Sequence, residues 1–180
     1  MKKGGIRFLK FIGNLEKNLK KRSLRCSEIL IYVILASLLP AFIFSLIYTI
    51  DISLFPKGTF IEVLNMILGE YLNPLVLFSA IVVGAVISVC LWSAIIHFIS
   101  KLLKGKGNFR DTFNVFGIAL IPILLLGWIP IVNVWSLIYS FAILVEGISI
   151  KHKLSLARTS LNLLVSLLLI LTIYFFFLFF

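Results

Sequence analysis

The sequence predicts an all-α, polytopic integral membrane protein with five transmembrane helices and a basic amphipathic helix ahead of them. Three observations predict it. First, 61% of the 180 residues are hydrophobic and 13% are charged, against roughly a quarter charged in a soluble domain. Second, mean hydropathy is +1.15, which leaves too few polar residues to clothe a water-soluble core. Third, the basic residues fall between the apolar runs in a pattern that fits five crossings. A soluble enzyme, a disordered chain and a secreted disulfide scaffold are thereby excluded.

A helix needs about 20 apolar residues to cross the hydrocarbon core. The first such run is 29–50, interrupted by Pro40, and the second is 75–99. The next apolar stretch, Phe113–Ile150, would be about 57 Å long as one helix, nearly twice the core. It must fold back, and Gly127, Trp128, Pro130 and Asn133 mark the turn. The third and fourth spans are thus expected near 112–126 and 131–150. A shallow re-entrant hairpin is the alternative, but lipid-exposed turns at mid-depth would leave backbone groups unpaired. The fifth run, 159–180, carries no charge. The chain accordingly divides into a basic segment, 1–27, and a membrane domain, 28–180.

Charge tests the count independently. Nine basic residues precede Ile29, whereas the loop Asp51–Asn73 has Lys57 against Asp51, Glu62 and Glu70. The next loop holds Lys101, Lys104, Lys106 and Arg110, and the last holds Lys151, Lys153 and Arg158. With five spans, sixteen of the 17 basic residues share one side. The positive-inside rule then places the N-terminus in the cytoplasm and the C-terminus outside, in what is expected to be the cell membrane.

Within residues 6–20, Phe8, Phe11, Ile12, Leu15 and Leu19 recur at helical spacing, with Lys10, Lys17, Lys20 and Lys21 mostly off that face. Such a helix suits the inner membrane interface and anionic lipids. A basic orientation tag, or a helix that binds a partner protein, fits the same residues. The segment Thr59–Leu72 reads as a second interfacial helix or a cap on the outer end. Trp128 is expected at the outer interface, and Trp92 and Trp135 are expected to be packing residues. Ala80, Gly84 and Ser88 form a small-residue stripe on span two, and Ser136 and Ser140 offer a matching one on span four. Packing between these two spans is expected.

Ionisable groups inside a membrane are default site hypotheses. His97 and Glu146 qualify, near the cytoplasmic ends of spans two and four, and form a candidate polar pair. Gly105-Lys106-Gly107-Asn108 lacks phosphate-loop spacing and reads as a turn, with Asn108 or Asp111 capping the next helix. Cys26 and Cys90 have no metal-ligand spacing. No catalytic triad, paired carboxylates or metal cluster is visible, so no enzyme activity, cofactor or metal is expected, and nucleic-acid binding is not supported.

The stretch Leu75–Ser155 resembles the Yip domain family, five-span membrane proteins of the Ypt/Rab-interacting type. The resemblance rests on ordered pieces. A long span ends His97-Phe98-Ile99-Ser100-Lys101-Leu102-Leu103, and the loop Gly105-Lys106-Gly107-Asn108-Phe109-Arg110-Asp111-Thr112 follows. Then come Phe116-Gly117-Ile118-Ala119-Leu120-Ile121-Pro122, where prokaryotic members often read Tyr-Ala-x-x-Pro. Trp135-Ser136-Leu137, Gly147-Ile148 and His152-Lys153-Leu154-Ser155 complete the series. The resemblance implies a prokaryotic-type member. The small-GTPase binding of eukaryotic members is not carried over, because their N-terminal region is longer and their DLYGP-type motif has no match here.

Two functional readings follow. The first is a non-enzymatic scaffold that organises or recruits protein partners and anionic lipids of the cytoplasmic leaflet. Its surface would be Lys10, Lys17, Lys20, Lys21, Arg22, Lys106 and Arg110. The second is a small transporter or channel subunit that uses His97, Glu146 and the Pro122-broken third span.

Overall fold

The computed structural model describes residues 24–50, 69 and 73–179. Five helices make up the described chain: α1 Cys26–Ile50, α2 Pro74–Leu102, α3 Phe109–Leu126, α4 Pro130–His152 and α5 Leu156–Phe179. No strand occurs among the described residues. The first four are long and apolar enough to cross a membrane, and α5 is apolar over the shorter stretch Leu156–Thr172. The described residues are therefore all-helical, and the protein is of the polytopic membrane type. The expected basic helix at 6–20 lies outside the described residues, as does 59–72 apart from Gly69.

The helices outrun the apolar stretches at one end. α2 continues to Leu102, α3 begins at Phe109, α4 continues to His152 and α5 begins at Leu156. Apolar content measures what lipid can cover, whereas a helix continues until its end groups are capped. At the start of α3, the Asp111 carboxylate accepts the Asn108 N–H at 3.1 Å. α4 stops because Lys153 turns left-handed at φ 53° and Leu154 N–H returns to Ser149 O at 3.1 Å, a glycine-free version of the usual helix stop. α2 starts on Asn73, whose Oδ1 accepts Leu75 N–H at 3.1 Å and Val76 N–H at 3.0 Å.

Between α3 and α4 the expected turn forms. Gly127 N–H donates to Ile123 O at 2.7 Å, Ile129 N–H to Leu126 O at 3.1 Å, and the Trp128 indole to Leu125 O at 2.8 Å.

Polar and apolar residues are distributed inside out. Ile31, Leu35, Phe42, Leu91, Phe98 and Phe141 are exposed, while Ser37, Ser93, Thr112, Ser140, Asn162 and Ser166 are buried. Lipid is as apolar as leucine, so apolar contact alone does not pull helices together; close packing and interhelical hydrogen bonds do. The core joins Ile29 and Val33 of α1, Val89 and Ile96 of α2, Val115 and Phe116 of α3, Ile148 of α4 and Leu163 of α5. Trp92 stacks on Phe116 with centroids 6.0 Å apart. Trp135, expected to pack, is instead 69% exposed on the outside of α4.

The extensive helix pairings are α3 with α4, α1 and α2, α1 with α2, and α5 with α2 and α4. The expected packing of span two on span four is therefore corrected: α2 and α4 are not an extensive pair, because α3 packs against both. Open space surrounds the Cβ position of Gly84. Close approach instead occurs at Gly117 and Gly147. A Cβ on Gly117 would collide with the Ile29 side chain, and one on Gly147 with Val115. Ser136 and Ser140 are buried on α4, and Ser136 Oγ is satisfied locally by Asn133 O at 2.8 Å.

These contacts predict that Gly117→Val and Gly147→Val each destabilise the bundle by about 1–3 kcal/mol through overpacking. Gly84→Ala should stay within about 0.5 kcal/mol of wild type. Reversible unfolding of the full chain in bicelles would measure all three.

Candidate functional site

The basic ends of the helices come together. His97, on the penultimate turn of α2, and His152, the last residue of α4, meet across the first turn of α3. Their ring centroids are 5.5 Å apart. The Thr112 hydroxyl lies between them, 3.1 Å from His97 Nδ1 and 2.7 Å from His152 Nε2. Thr112 and His152 are fully buried. Phe109 covers the far edge of His97, with centroids 5.7 Å apart.

A hydroxyl has one proton to give, so one of these two hydrogen bonds is donated by an imidazole. His152 Nδ1 has no hydrogen-bond partner. An orphaned buried acceptor is tolerated more readily than an orphaned N–H. The favoured order is therefore His152 Nε2–H to Thr112, then Thr112 O–H to His97 Nδ1.

The loop after α2 is fastened over this bridge. Gly105 N–H donates to Ser100 O at 2.8 Å, and Lys106 N–H donates to His152 O at 2.9 Å. Lys104 takes φ 65° to start the turn. A Cβ on Gly105 or on Gly107 would come within 2.9 Å of the His152 ring. Glycine at both positions is thus what allows the backbone to cross the imidazole, which is the physical content of the Gly-Lys-Gly pattern.

Two further attachments complete this end. Leu24 O, just before α1, accepts Arg110 Nε at 3.0 Å and Asn114 Nδ2 at 2.9 Å. Lys151 Nζ lies 4.0 Å from Asp111 Oδ1. On the other side, α5 presents Thr159, Asn162 and Ser166, all fully buried. Asn162 Nδ2 donates to Ser100 Oγ at 2.6 Å and reaches Ile96 O at 3.3 Å. Ser166 Oγ closes the set on Asn162 O at 2.8 Å.

The sequence-derived site residues fare unequally. The described hydrogen-bond and ring partners of His97 are Thr112, Phe109 and His152 rather than Glu146. Glu146 is half-buried on α4, about 9 Å along the helix from His152. Lys106 is exposed and uses its backbone to hold His152. Arg110, expected as lipid- or partner-facing surface, is exposed, and its Nε donates to Leu24 O ahead of α1. Lys10, Lys17, Lys20, Lys21 and Arg22 lie outside the described residues. Sequence reasoning missed His152, Thr112 and Asn162 as site residues. A signal existed for His152: the chain has two histidines, and each stands at the basic end of a span. Among the described residues no group of three or more His, Cys, Asp or Glu is placed to hold a metal.

Asn162→Leu should remove the α5–α2 link and cost about 0.5–2 kcal/mol, the range for hydrogen bonds within membranes. Ser166→Ala, which leaves Asn162 bonded to Ser100, should cost less. Unfolding of the two variants in bicelles would order them.

Comparison with known proteins is consistent with this architecture. Neither the curated proteins nor the solved structures yield a match. The family model for the Yip1 domain matches residues 21–179, nearly the whole chain. The match takes in all five described helices and the loop that crosses the histidine bridge, and the chain belongs to the Yip1 domain family.

Proposed function

We propose that this protein is a non-enzymatic, five-span membrane scaffold. Its basic end faces the cytoplasm, in the cell membrane, and engages anionic lipid headgroups and through them protein partners. The observation that carries the reading is the fastening of three basic segments into one surface. Leu24, preceding α1, is held by Arg110 and Asn114. The α2–α3 loop is held to the end of α4 through Lys106 and His152. The α4–α5 turn follows directly on Lys153.

Around these anchors Arg25, Lys101, Lys104, Lys106, Lys153 and Arg158 are exposed. Charges fixed on a rigid surface act together on an anionic leaflet, at about 1 kcal/mol per basic residue near it. Helix alternation supports the orientation. The starts of α1, α3 and α5 and the ends of α2 and α4 lie together, so the basic loops share one face. The α3–α4 helical hairpin supports full crossing of residues 113–150. Its arms are about 27 Å and 35 Å long, and neither leaves a stretch of non-helical backbone at mid-depth.

The test is reconstitution of the full chain in vesicles of mixed phosphatidylglycerol and phosphatidylcholine. Spin-labelled lipid would measure headgroup selectivity. Replacing Lys17, Lys20, Lys21 and Arg22 by Gln should lower selectivity for the anionic lipid at least about threefold and abolish crosslinking to partners in native membranes. Glu146→Gln should leave both unchanged. Selectivity insensitive to the basic residues, with proton or solute flux lost in Glu146→Gln, would replace the scaffold by the transporter reading.

A further inference from the structure

We infer that the His97–Thr112–His152 bridge is an acid-sensitive latch that holds the α2–α3 loop closed over the basic end of the bundle. The consequence for lipid or partner engagement rests on the scaffold reading; the latch itself rests on geometry alone.

The bridge joins three helices through one hydroxyl. Thr112 Oγ1 contacts both imidazoles at 3.1 and 2.7 Å. The loop depends on the same residue, because Lys106 N–H bonds to His152 O and both flanking glycines lie against the His152 ring. In the neutral state the bridge has a consistent donor order, with His97 Nδ1 as its last acceptor. A proton on His97 Nδ1 turns that acceptor into a donor. Thr112 must then accept from both rings, and its own O–H loses its bond. A proton on His152 would add at Nδ1, which is buried and without a partner. Either proton therefore breaks or strands part of the bridge.

The surrounding charges do not compensate. The titratable and charged groups nearest His152 on the packed helices are His97 and Lys101 of α2 and Asp111 of α3. Asp111 is the single acid in this set, and it is already engaged by Asn108 N–H and Lys151. On α5 the charged residue is Arg158, which is exposed. In the loop, Lys104 and Lys106 are exposed. At the start of α1, Glu28 accepts Arg25 N–H. A second cation about 5.5 Å from the first ring would thus meet more positive than negative charge.

The sign follows from proton linkage. Opening the loop exposes the rings to water, where histidine titrates near its ordinary value of about 6.5. The open state then binds more protons than the closed one, so the opening equilibrium rises as pH falls. It rises by up to about tenfold per pH unit for each extra proton bound. The latch is closed at neutral pH and released in acid. Release would free the Gly105–Gly107 backbone and reposition Lys104 and Lys106.

Hydrogen–deuterium exchange on the full chain in nanodiscs tests this, with protection of the Gly105 and Lys106 amides corrected for intrinsic rates. Between about pH 7.5 and about pH 5, their protection should fall at least about tenfold, while amides in the middle of α2 stay unchanged. His152→Gln places an amide where Nε2 was, and His97→Asn places one where Nδ1 was. Both keep a hydrogen-bonding atom against Thr112 and cannot take up the proton, so each should flatten the pH response. Thr112→Val should open the loop at both pH values, and Thr112→Ser should restore the wild-type profile. Wild-type protection that does not change with pH would overturn the latch. So would an undiminished pH response in both histidine variants. Lipid selectivity measured on the same samples separates the two readings. A pH-dependent loop without anionic selectivity at neutral pH would retain the latch and remove the scaffold. Selectivity with a pH-independent loop would do the reverse.

Discussion

The close approach of α3 to its neighbours is the constraint on which the rest of the bundle depends. α3 is the shortest helix and packs on α1, α2 and α4. It reaches α1 where Gly117 admits the Ile29 side chain, and α4 where Val115 enters the space left by Gly147. In lipid no apolar driving force replaces such contacts, because a displaced leucine is equally well solvated by acyl chains. The position of α3 then fixes its first turn, and with it Thr112, Arg110 and Asn114. The histidine bridge and the anchoring of Leu24 are consequences of that placement. A long apolar stretch of modest hydropathy folds into the centre of the structure because its small and polar residues have somewhere to pack.

Much of the architecture was legible in sequence, since bilayer thickness converts directly into run length. The turn at Gly127–Pro130 was readable from the arithmetic that a single helix over 113–150 would overshoot the hydrocarbon. Helix ends were less readable. Capping by Asp111 was readable and forms, but α4 runs beyond the apolar window to a left-handed stop at Lys153, which carries no glycine signature. Helix partners were the least readable. The Ala80–Gly84–Ser88 stripe has the spacing of a packing face, yet Gly84 borders open space, whereas Gly117 and Gly147 carry the close contacts without any repeat. A single glycine facing a branched side chain leaves no period to detect.

The site was half legible for a related reason. His97 stood out because ionisable groups within spans are rare. His152 did not, since it adjoins Lys151 and Lys153 and reads as one more member of a basic loop. Its burial comes from Gly105 and Gly107, far back in the sequence, passing over its ring. Thr112 is an ordinary residue near a helix N-terminus until two imidazoles converge on it. Asn162 was hidden in the same way: one amide in a helix of leucines is striped only once Ser100 and Ile96 O are seen opposite it.

The buried polar groups also explain why the basic end is organised and the other end is not comparably fastened among the described residues. Hydrogen bonds are cheap to exchange where water competes and persistent where it does not. The bridge, the Asn162–Ser100 link and the Leu24 anchor all lie within about two turns of the helix ends that carry the basic loops. At that depth they hold firmly enough to set the loops, yet stay close enough to water for a proton to reach them when the loop opens. A bridge at mid-membrane would be as rigid but unreachable, and one in the loops would be reachable but weak. The placement of both histidines at helix ends, on opposite sides of one threonine, makes the shape of the basic face depend on a bond that a single proton alters.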